Sequence, residues 1–431
     1  MTVADSDGRP LLRPVYWIGP GPAPAPPPPS PPWPPLPAPG TESDPSAYDV
    51  SWSTPSVSGA RGGFPLGSGE CSATVWVEPN GDVLMYAVKS DSIDELTSRD
   101  KLARLRVRLH PPLTTAKDFR QRLVLRNASV VVESSTPQVQ LVVFVDANSP
   151  ALRVRATATH DFSLHASLEV WRSGPARAQG SFCESWNRSG DVLVTDEDAG
   201  SGAIAVAHAN PDAVSEALIS STLKRQGIDM GGAPVYNPMR GVVFGAWVSG
   251  SGMRRVNATT LSSSEPGKEQ SIVLSMLTTT AEHRATSAAA AVSRWSVEAK
   301  ALAKANAARS FDNAAESHAE EWAALWERSW VHVTPNCSWC EREHHAAGPN
   351  SVVGNPSAVF ALQRYLDLAN GRQATYPVHG GGQAWGLDGC SGSPAGRTDP
   401  RCAENFTCKA GPANSGVCNP DHYQWWTCKR G

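Results

Sequence analysis

The sequence is poor in lysine, in long apolar runs and in excess charge of either sign. Only 9 of its 38 basic residues are lysines, and 41 acidic residues leave a net charge of −3. A nearly neutral chain without basic runs beside aromatic residues creates no field that would attract nucleic acid. No apolar run reaches the roughly 20 residues that a membrane-spanning helix requires. We therefore expect neither a nucleic-acid partner nor a membrane span.

Motifs of nucleotide, serine-hydrolase and metal chemistry are also missing. The chain has no Gly-x-Ser-x-Gly sequence, and Gly380–Gly382 lacks the strand and Lys-Ser/Thr context of a phosphate-binding loop. Cys337, Cys340, His344 and His345 are zinc-type ligands, but zinc sites normally take two pairs from separate elements. We favour a disulfide or an insertion loop here, and we expect no metal and no cofactor.

Two features indicate an extracellular or secretory-pathway protein, although Arg13 and Pro14 interrupt the only apolar patch that could belong to a signal peptide. Asn-x-Ser/Thr sequons give five candidate glycosylation sites, at Asn127, Asn187, Asn257, Asn336 and Asn405. Cysteines crowd the C-terminal region, where the candidate disulfide partners are Cys337, Cys340, Cys390, Cys402, Cys408, Cys418 and Cys428. A cytosolic gene-model artefact is the alternative.

The N-terminal region, residues 1–47, is expected to be disordered and to contain a proline-rich linker. Pro20–Pro39 holds thirteen prolines in twenty residues, which favours an extended polyproline II spacer. A stiff linker is the simpler interpretation. A ligand for proline-binding modules or a wall-associated stalk is the alternative.

Residues 48–280 have the pattern of a large antiparallel β-sandwich. Leu105, Val107 and Leu109 alternate with arginines, as in a strand with one buried face. Two strand-like runs flank Asn80-Gly81, which predicts a hairpin with a type I′ turn. A dozen or so short strands are expected, among them separate strands at Leu152–Thr157 and Phe162–Trp171.

The hydrophobic period becomes helical after residue 280. Residues 281–332 predict two linker helices that break near Ser310–Asn313, and residues 333–377 predict a loop followed by a helix over Pro356–Asn370. Residues 378–431 are expected to be a Cys-rich irregular tail. The predicted fold is therefore mainly β with a helical C-terminal part.

Isolated acidic and aromatic residues could bind or cleave sugars. Asp91, Asp94 and Glu95 follow a strand, but solvated loop charges explain such groups more simply. Tryptophans at periodic positions, Trp76, Trp247, Trp322 and Trp326, are expected in the core. Tryptophans in irregular segments are better candidates for stacking on a pyranose ring, namely Trp186, Trp385, Trp425 and Trp426.

Four motifs together resemble the beginning of a known protein domain: Tyr48–Ser56, Phe64–Glu70, Trp76–Tyr86 and Lys89-Ser-Asp91. It is that of the uncharacterised N-terminal domain (domain of unknown function 5703) of proteins similar to glycoside hydrolase family 95, which are α-L-fucosidase-like. Ser68, Glu70 and Ser90 depart from the usual Asn, Asp and Thr. Further on, Trp322–His332 is similar to the linker helix of that family, and Leu362–Tyr365 resembles its first barrel helix.

The resemblance implies a β-super-sandwich, linker helices and the start of an (α/α)6 barrel. Twelve barrel helices need about 300 residues, whereas about 80 follow Asn350, so the predicted barrel is incomplete. No position matches the catalytic Glu motif of the family, so no catalytic residue is assigned.

We therefore expect a glycoside hydrolase-like, carbohydrate-active protein, present as an N-terminal fragment or truncated form and inactive as given. A full-length form would be a glycosidase. Lys89 and Asp91 would line the rim of a cleft for an oligosaccharide or polysaccharide, with Trp385, Trp425 and Trp426 as further binding candidates. The alternatives are a non-catalytic extracellular carbohydrate-binding or wall-associated module and a defective gene model.

Overall fold

The computed structural model describes residues 44–56, 62–96, 99–115, 118–135, 138–174, 176–177, 187–195, 199, 201–229, 231–232, 237–280, 287–333 and 355–371. A short 3-10 helix, Pro45–Tyr48, comes first. The strands are β1 Val50–Trp52, β2 Phe64–Gly67, β3 Cys71–Val77, β4 Val83–Ile93, β5 Arg99–His110, β6 Arg120–Val124, β7 Ser129–Ser135, β8 Gln138–Val145, β9 Ala151–Glu169, β10 Ala176–Arg177, β11 Asn187–Arg188, β12 Val192–Leu193, β13 Ala203–Ala209, β14 Val242–Ser249, β15 Met253–Asn257, β16 Thr260–Ser263 and β17 Gly267–Thr280. The α-helices within these ranges are α1 Asp212–Arg225, α2 Ala288–Ala308, α3 Phe311–Glu327 and α4 Pro356–Asn370.

Fifteen of these strands form an antiparallel sandwich whose two sheets share one strand. The first sheet has the order β1-β6-β7-β8-β9-β17-β14-β13-β12. The second contains β2-β3-β4-β5, followed by β9, β16 and β15. Strands β10 and β11 pair separately. The fold is thus mainly β, as predicted.

Strand β9 joins the two sheets. Its first half pairs with β8 and β17, and its second half pairs with β5 and β16. The prediction of two strands, Leu152–Thr157 and Phe162–Trp171, is therefore wrong. The segment between them contains no Gly or Pro that would break the strand. It includes Thr159 and Asp161, which are exposed where the strand passes from one sheet to the other.

The hairpin between β3 and β4 is confirmed, but its turn is not type I′. Among the described non-glycine residues, positive φ occurs at Asp118 and Ala128, and a type I′ turn would require it at Asn80. The Gly81 N–H donates to the Glu78 carbonyl at 2.9 Å, and Gly81 has a φ of 87°. Pro79 fixes the negative φ that a type I turn requires at that position, and Gly81 then supplies the left-handed residue that follows.

The main core lies between the two sheets and continues into the helices. Leu105, Val107 and Leu109 are buried in it, which confirms the alternation predicted for β5. Trp322 and Trp326 of α3 also belong to this core, so α3 is packed as part of the sandwich. The indole N–H of Trp326 donates to the Leu125 carbonyl at 3.0 Å.

Helix α2 covers the outer face of the first sheet. Its Trp295 packs in a second apolar cluster that also includes Trp247 of β14. Ser310 caps α3 by accepting a hydrogen bond from the Asn313 N–H at 3.2 Å, so the break between α2 and α3 falls near the predicted position. Helix α1 and the β15–β16 hairpin were not predicted. Within the described ranges, no helix is long and apolar enough to cross a membrane.

Candidate functional site

The candidate site is built around the turn between β2 and β3, residues 68–70, which completes the Phe64–Glu70 motif. The Ser68 N–H donates to the Cys71 carbonyl at 2.8 Å, which closes the turn. Gly69 has a φ of 88°, a conformation that favours glycine. The turn therefore depends on the glycine that the motif supplies.

This turn docks directly onto the C-terminal end of α4. The Tyr365 hydroxyl donates to the Pro65 carbonyl at 2.6 Å, and the Gly69 N–H donates to the Ala369 carbonyl at 2.8 Å. A Cβ atom at Gly67 would overlap that same carbonyl. The backbones approach closely because Gly67 has no side chain and the α4 residue opposite it, Ala369, is small.

Lys89 and Asp91 meet at the edge of the same turn. The Lys89 ammonium lies 2.7 Å from the Asp91 carboxylate and also contacts Glu70. The Lys89 side chain is 7% exposed, whereas that of Asp91 is 43% exposed. Burial by itself would lower the pKa of Lys89, but the charge and hydrogen bond of Asp91, with a further hydrogen bond from Glu70, raise it above its ordinary value. Lys89 is thus a buried cation whose anionic partners reach solvent.

The surroundings of Lys89 fix it in place. The Ser90 N–H donates to the Glu70 carbonyl at 2.9 Å, and the Arg99 side chain donates to the Ser90 carbonyl at 3.1 Å. Cys71, the free cysteine among the described residues, lies opposite Lys89 across the β3–β4 ladder. Burial raises the pKa of its thiol, so Cys71 is not a reactive nucleophile.

A cleft of about 500 Å³ opens beside the turn, between α3 and α4. Its charged lining residues are Glu321 and Arg328 on the α3 side and Asp367 on α4. Ser68 of the turn, Ala147, Leu325, Leu368 and Gly371 complete the lining. Charged groups beside apolar walls suit a polar ligand that also has apolar faces.

Asp94 and Glu95 are not solvated loop charges, so that interpretation is wrong. Both side chains are fully buried. Glu95 lies 2.8 Å from the ring of His208, and Asp191 contacts the other ring nitrogen at 3.1 Å. Arg172 completes the network with a 2.8 Å contact to Asp191. Acidic residues in loops are exposed to solvent in most proteins. Here the charge of Glu95 is compensated by a buried partner inside the molecule.

The network shifts the pKa values of its members in the directions expected for ion pairs. Burial would raise the pKa of Glu95, but the hydrogen bond and charge of His208 lower it to about 2. Burial would lower the pKa of His208, but Asp191 and Glu95 raise it to about 9. The sequence contained one signal: a histidine inside the apolar strand Ala203–Ala209 must find a polar partner.

Other candidate residues are distributed as follows. Trp76, Trp247, Trp322 and Trp326 are buried, as predicted. Asn127 and Asn257 lie on hairpins within the described residues. Of Asn187 the structure describes the backbone in β11 and not the side chain. Further candidates also lie outside the described residues: Trp186, Trp385, Trp425, Trp426, Asn336, Asn405, Cys337, Cys340, Cys390, Cys402, Cys408, Cys418 and Cys428. In the described part of the chain, no three metal-ligating side chains are grouped so that they could hold a metal ion.

Two solved structures are similar to parts of the chain at low identity. One is described as "Putative kojibiose phosphorylase from human microbiome"; it is 9% identical, with a TM-score of 0.33, over 66% of this chain and 38% of that protein. The other is a bacterial glucoamylase in complex with acarbose; it is 10% identical, with a TM-score of 0.29, over 71% of this chain and 40% of that protein. The chain therefore spans less than half the length of either protein.

No curated protein matches the chain significantly. A family model does match, and it covers residues 51–331, which is more than half of the chain. This range begins in β1 and ends just after α3, so it includes the sandwich and helices α2 and α3. The chain belongs to the family described as "Domain of unknown function (DUF5703)", through the N-terminal domain of that family.

Proposed function

We propose that this chain is the N-terminal, sandwich-bearing part of a glycoside hydrolase-like, carbohydrate-active protein. In this proposal the sandwich supports an α-helical catalytic domain that begins with α4. The resemblance of the Tyr48–Asp91 motifs to glycoside hydrolase family 95 proteins suggests an α-L-fucosidase-like activity. That activity would require barrel helices beyond those described.

The docking of α4 on the β2–β3 turn is the observation that carries the proposal. Two hydrogen bonds and a glycine contact hold the helix against the motif that resembles the family. Beyond its docked face, α4 carries Val359, which is 50% exposed, and Phe360, which is half-buried against Trp330, beside the exposed polar residues Gln363 and Asp367. A pocket of about 180 Å³ lies there, lined by the apolar Phe360 and Leu368 and by the polar Gln363, Arg364 and Asp367. Exposed apolar side chains next to a pocket favour the packing of a further element against this part of α4.

The Lys89–Asp91–Glu70 cluster would supply polar contacts at the rim of the sugar-binding cleft. The side chains of Glu70 and Asp91 are partly exposed, but Oδ1 of Asp91 is buried, so the acceptors offered to sugar hydroxyl groups would be the Glu70 carboxylate and Oδ2 of Asp91. The buried Lys89 holds both carboxylates in place. The motif would thus combine two tasks, docking of α4 and presentation of acceptors to the ligand.

The direct test is turnover of aryl glycosides, including an aryl α-L-fucoside, by protein purified from its own cells. Hydrolysis would support the enzyme. Oligosaccharide binding on a glycan array without turnover would favour the alternative, a non-catalytic carbohydrate-binding or wall-associated module. Absence of both would overturn the proposal.

The role of the cluster is tested by Asp91→Asn, measured as glycan affinity or KM. We expect weaker binding with an unchanged fold, because the amide retains the shape but loses the charge that pairs with Lys89. Asp312→Asn is the matched control, since Asp312 is an exposed carboxylate on α3 that also pairs with a basic residue. Equal affinities for both variants would exclude a ligand-binding role for Asp91.

A further inference from the structure

The β15–β16 hairpin carries one of the sequons, Asn257-Ala-Thr259, at its tip. Val256, Asn257 and Ala258 are all exposed, and Val256 reaches 52%. Arg255 stiffens the base of this tip, because its guanidinium group donates to the Asn257 carbonyl at 3.2 Å and to the Val194 carbonyl at 3.1 Å. The asparagine is therefore presented on a short, ordered projection.

The side chain of Asn257 has a defined orientation. Its Oδ1 accepts a hydrogen bond from the Thr259 N–H at 2.9 Å and a second from the Thr259 hydroxyl at 3.2 Å. Because the oxygen is turned toward the chain, the amide nitrogen Nδ2 faces away from it. The hydroxyl group that makes this tripeptide a sequon thus contacts the acceptor asparagine itself.

The second described sequon, Asn127-Ala-Ser129, has a different environment. Ala128 and Ser129 are buried, and the Ser129 hydroxyl donates to Oδ1 of Asn127 at 2.8 Å. The ring of His318 in α3 lies 2.7 Å from the Asn127 carbonyl oxygen. A glycan on Asn127 would have to leave the surface where α3 closes over the β6–β7 turn.

We propose that Asn257 carries an N-linked glycan and that Asn127 does not. The donor is an oligosaccharide linked through pyrophosphate to a lipid, with N-acetylglucosamine at its reducing end. Nδ2 forms a bond to C1 of that sugar and loses one proton, while the bond between C1 and the pyrophosphate oxygen breaks. The lipid pyrophosphate leaves with the electron pair, and no oxidant or reductant is required. This modification is independent of the proposed hydrolase activity.

Protein isolated from its own cells provides the first measurement. Enzymatic deglycosylation in heavy-oxygen water converts a glycan-bearing asparagine to labelled aspartate, which peptide mass spectrometry locates. We expect the label at Asn257 and none at Asn127. An unlabelled Asn257 peptide, or a label at Asn127 alone, would overturn the proposal.

Variants expressed in secreting eukaryotic cells provide the second measurement. Thr259→Val replaces the hydroxyl with a methyl group of similar size, and we expect the intact mass to fall by one glycan. Thr259→Ser keeps the sequon and should retain that mass. Asn257→Gln should lower the mass by the same glycan while leaving Thr259 unchanged. It therefore tests the site even if Thr259→Val fails to fold. Equal glycan masses for wild type, Thr259→Val and Asn257→Gln would overturn the assignment.

Discussion

Nε2 of His208 lies 2.8 Å from a carboxylate oxygen of Glu95, and neither side chain is exposed to solvent. The two residues are 113 positions apart in the sequence. Their contact ties the segment after β4 to β13, and the imidazole ring also stacks on Phe244 with 5.1 Å between ring centroids. Buried charges are tolerated when each has a partner, so we expect the stability of the protein to depend strongly on every member of the network.

The variant His208→Gln tests that dependence. We expect a loss of about 3–5 kcal/mol in the free energy of unfolding, because removal of one buried partner leaves Glu95 and Asp191 poorly compensated. Urea denaturation near neutral pH measures it. His110→Gln is the control, since His110 is an exposed histidine in β5, and its effect should stay within about 0.5 kcal/mol. Equal losses for both variants would contradict the assigned role of the network.

The same network predicts how stability varies with pH. The pKa of His208 is raised to about 9 from an ordinary value of 6.5, because the attraction of Asp191 and Glu95 exceeds the effect of burial. The folded state therefore holds this proton more tightly than the unfolded state. The stabilisation is complete below the ordinary pKa and is lost as the pH rises through about 9.

Glu95 gives the opposite dependence. Its pKa is lowered to about 2 from 4.5, so its stabilisation is complete above the ordinary value and is lost as the pH falls through about 2. The stability advantage of wild type over His208→Gln should thus decline above neutral pH and again in acid. Urea denaturation across the pH range checks this, and an advantage independent of pH would exclude ionic pairing.

Docking of α4 on the β2–β3 turn can be tested with one methyl group. A Cβ atom at Gly67 would overlap the Ala369 carbonyl, so Gly67→Ala should displace the C-terminal end of α4 and destabilise its packing by about 1–3 kcal/mol. Hydrogen exchange of the α4 amides should accelerate. In Gly202→Ala the new Cβ would lie 3.5 Å from the Met253 carbonyl, an ordinary contact, and α4 exchange should not change. Wild-type exchange rates in Gly67→Ala would contradict the observed docking.

The strands could be predicted from the sequence where apolar and polar side chains alternate, whereas the buried ion-pair network around His208 could not. In β5, apolar residues and arginines alternate, so the buried face of the strand could be assigned from the sequence. Asp94 and Glu95 follow a strand in the same way that exposed loop residues do, and only the approach of His208 from β13 explains their burial. Such pairing depends on strand order, which local patterns do not contain. The close contact of Gly67 with Ala369 is likewise non-local.

The contacts of Arg153 predict that arginine and lysine differ in how much they stabilise the protein at this buried site. Its Nε donates to Asp146 at 2.8 Å, and the same guanidinium group reaches the carbonyls of Asn306 and Arg309 at 3.2 and 3.3 Å, at the C-terminal end of α2. A lysine ammonium cannot occupy all of these positions. Arg153→Lys should therefore lower the free energy of unfolding by about 2–3 kcal/mol, since buried polar groups lose their partners.

Arg155→Lys is the matched control for that substitution. Arg155 is on the same strand, but its partner Asp312 is 77% exposed, and exposed ion pairs contribute only about 0–1 kcal/mol. Urea denaturation of both variants gives the comparison. If Arg153→Lys were as stable as Arg155→Lys, the connection between α2 and the sandwich would not depend on the guanidinium geometry.

The turn between β3 and β4 provides a last test, which distinguishes the strain of a positive φ from the steric overlap of an added Cβ atom. Gly81 and Gly252 both have positive φ, of 87° and 67°, so alanine at either position is strained by roughly 1 kcal/mol. At Gly81 the added Cβ would also overlap the Leu113 carbonyl, whereas at Gly252 it would meet open space. Gly81→Ala should therefore destabilise the protein by about 1–3 kcal/mol more than Gly252→Ala, as measured by urea denaturation. Equal losses would mean that the strain at both positions arises from φ alone and that the segment around Leu113 moves aside freely.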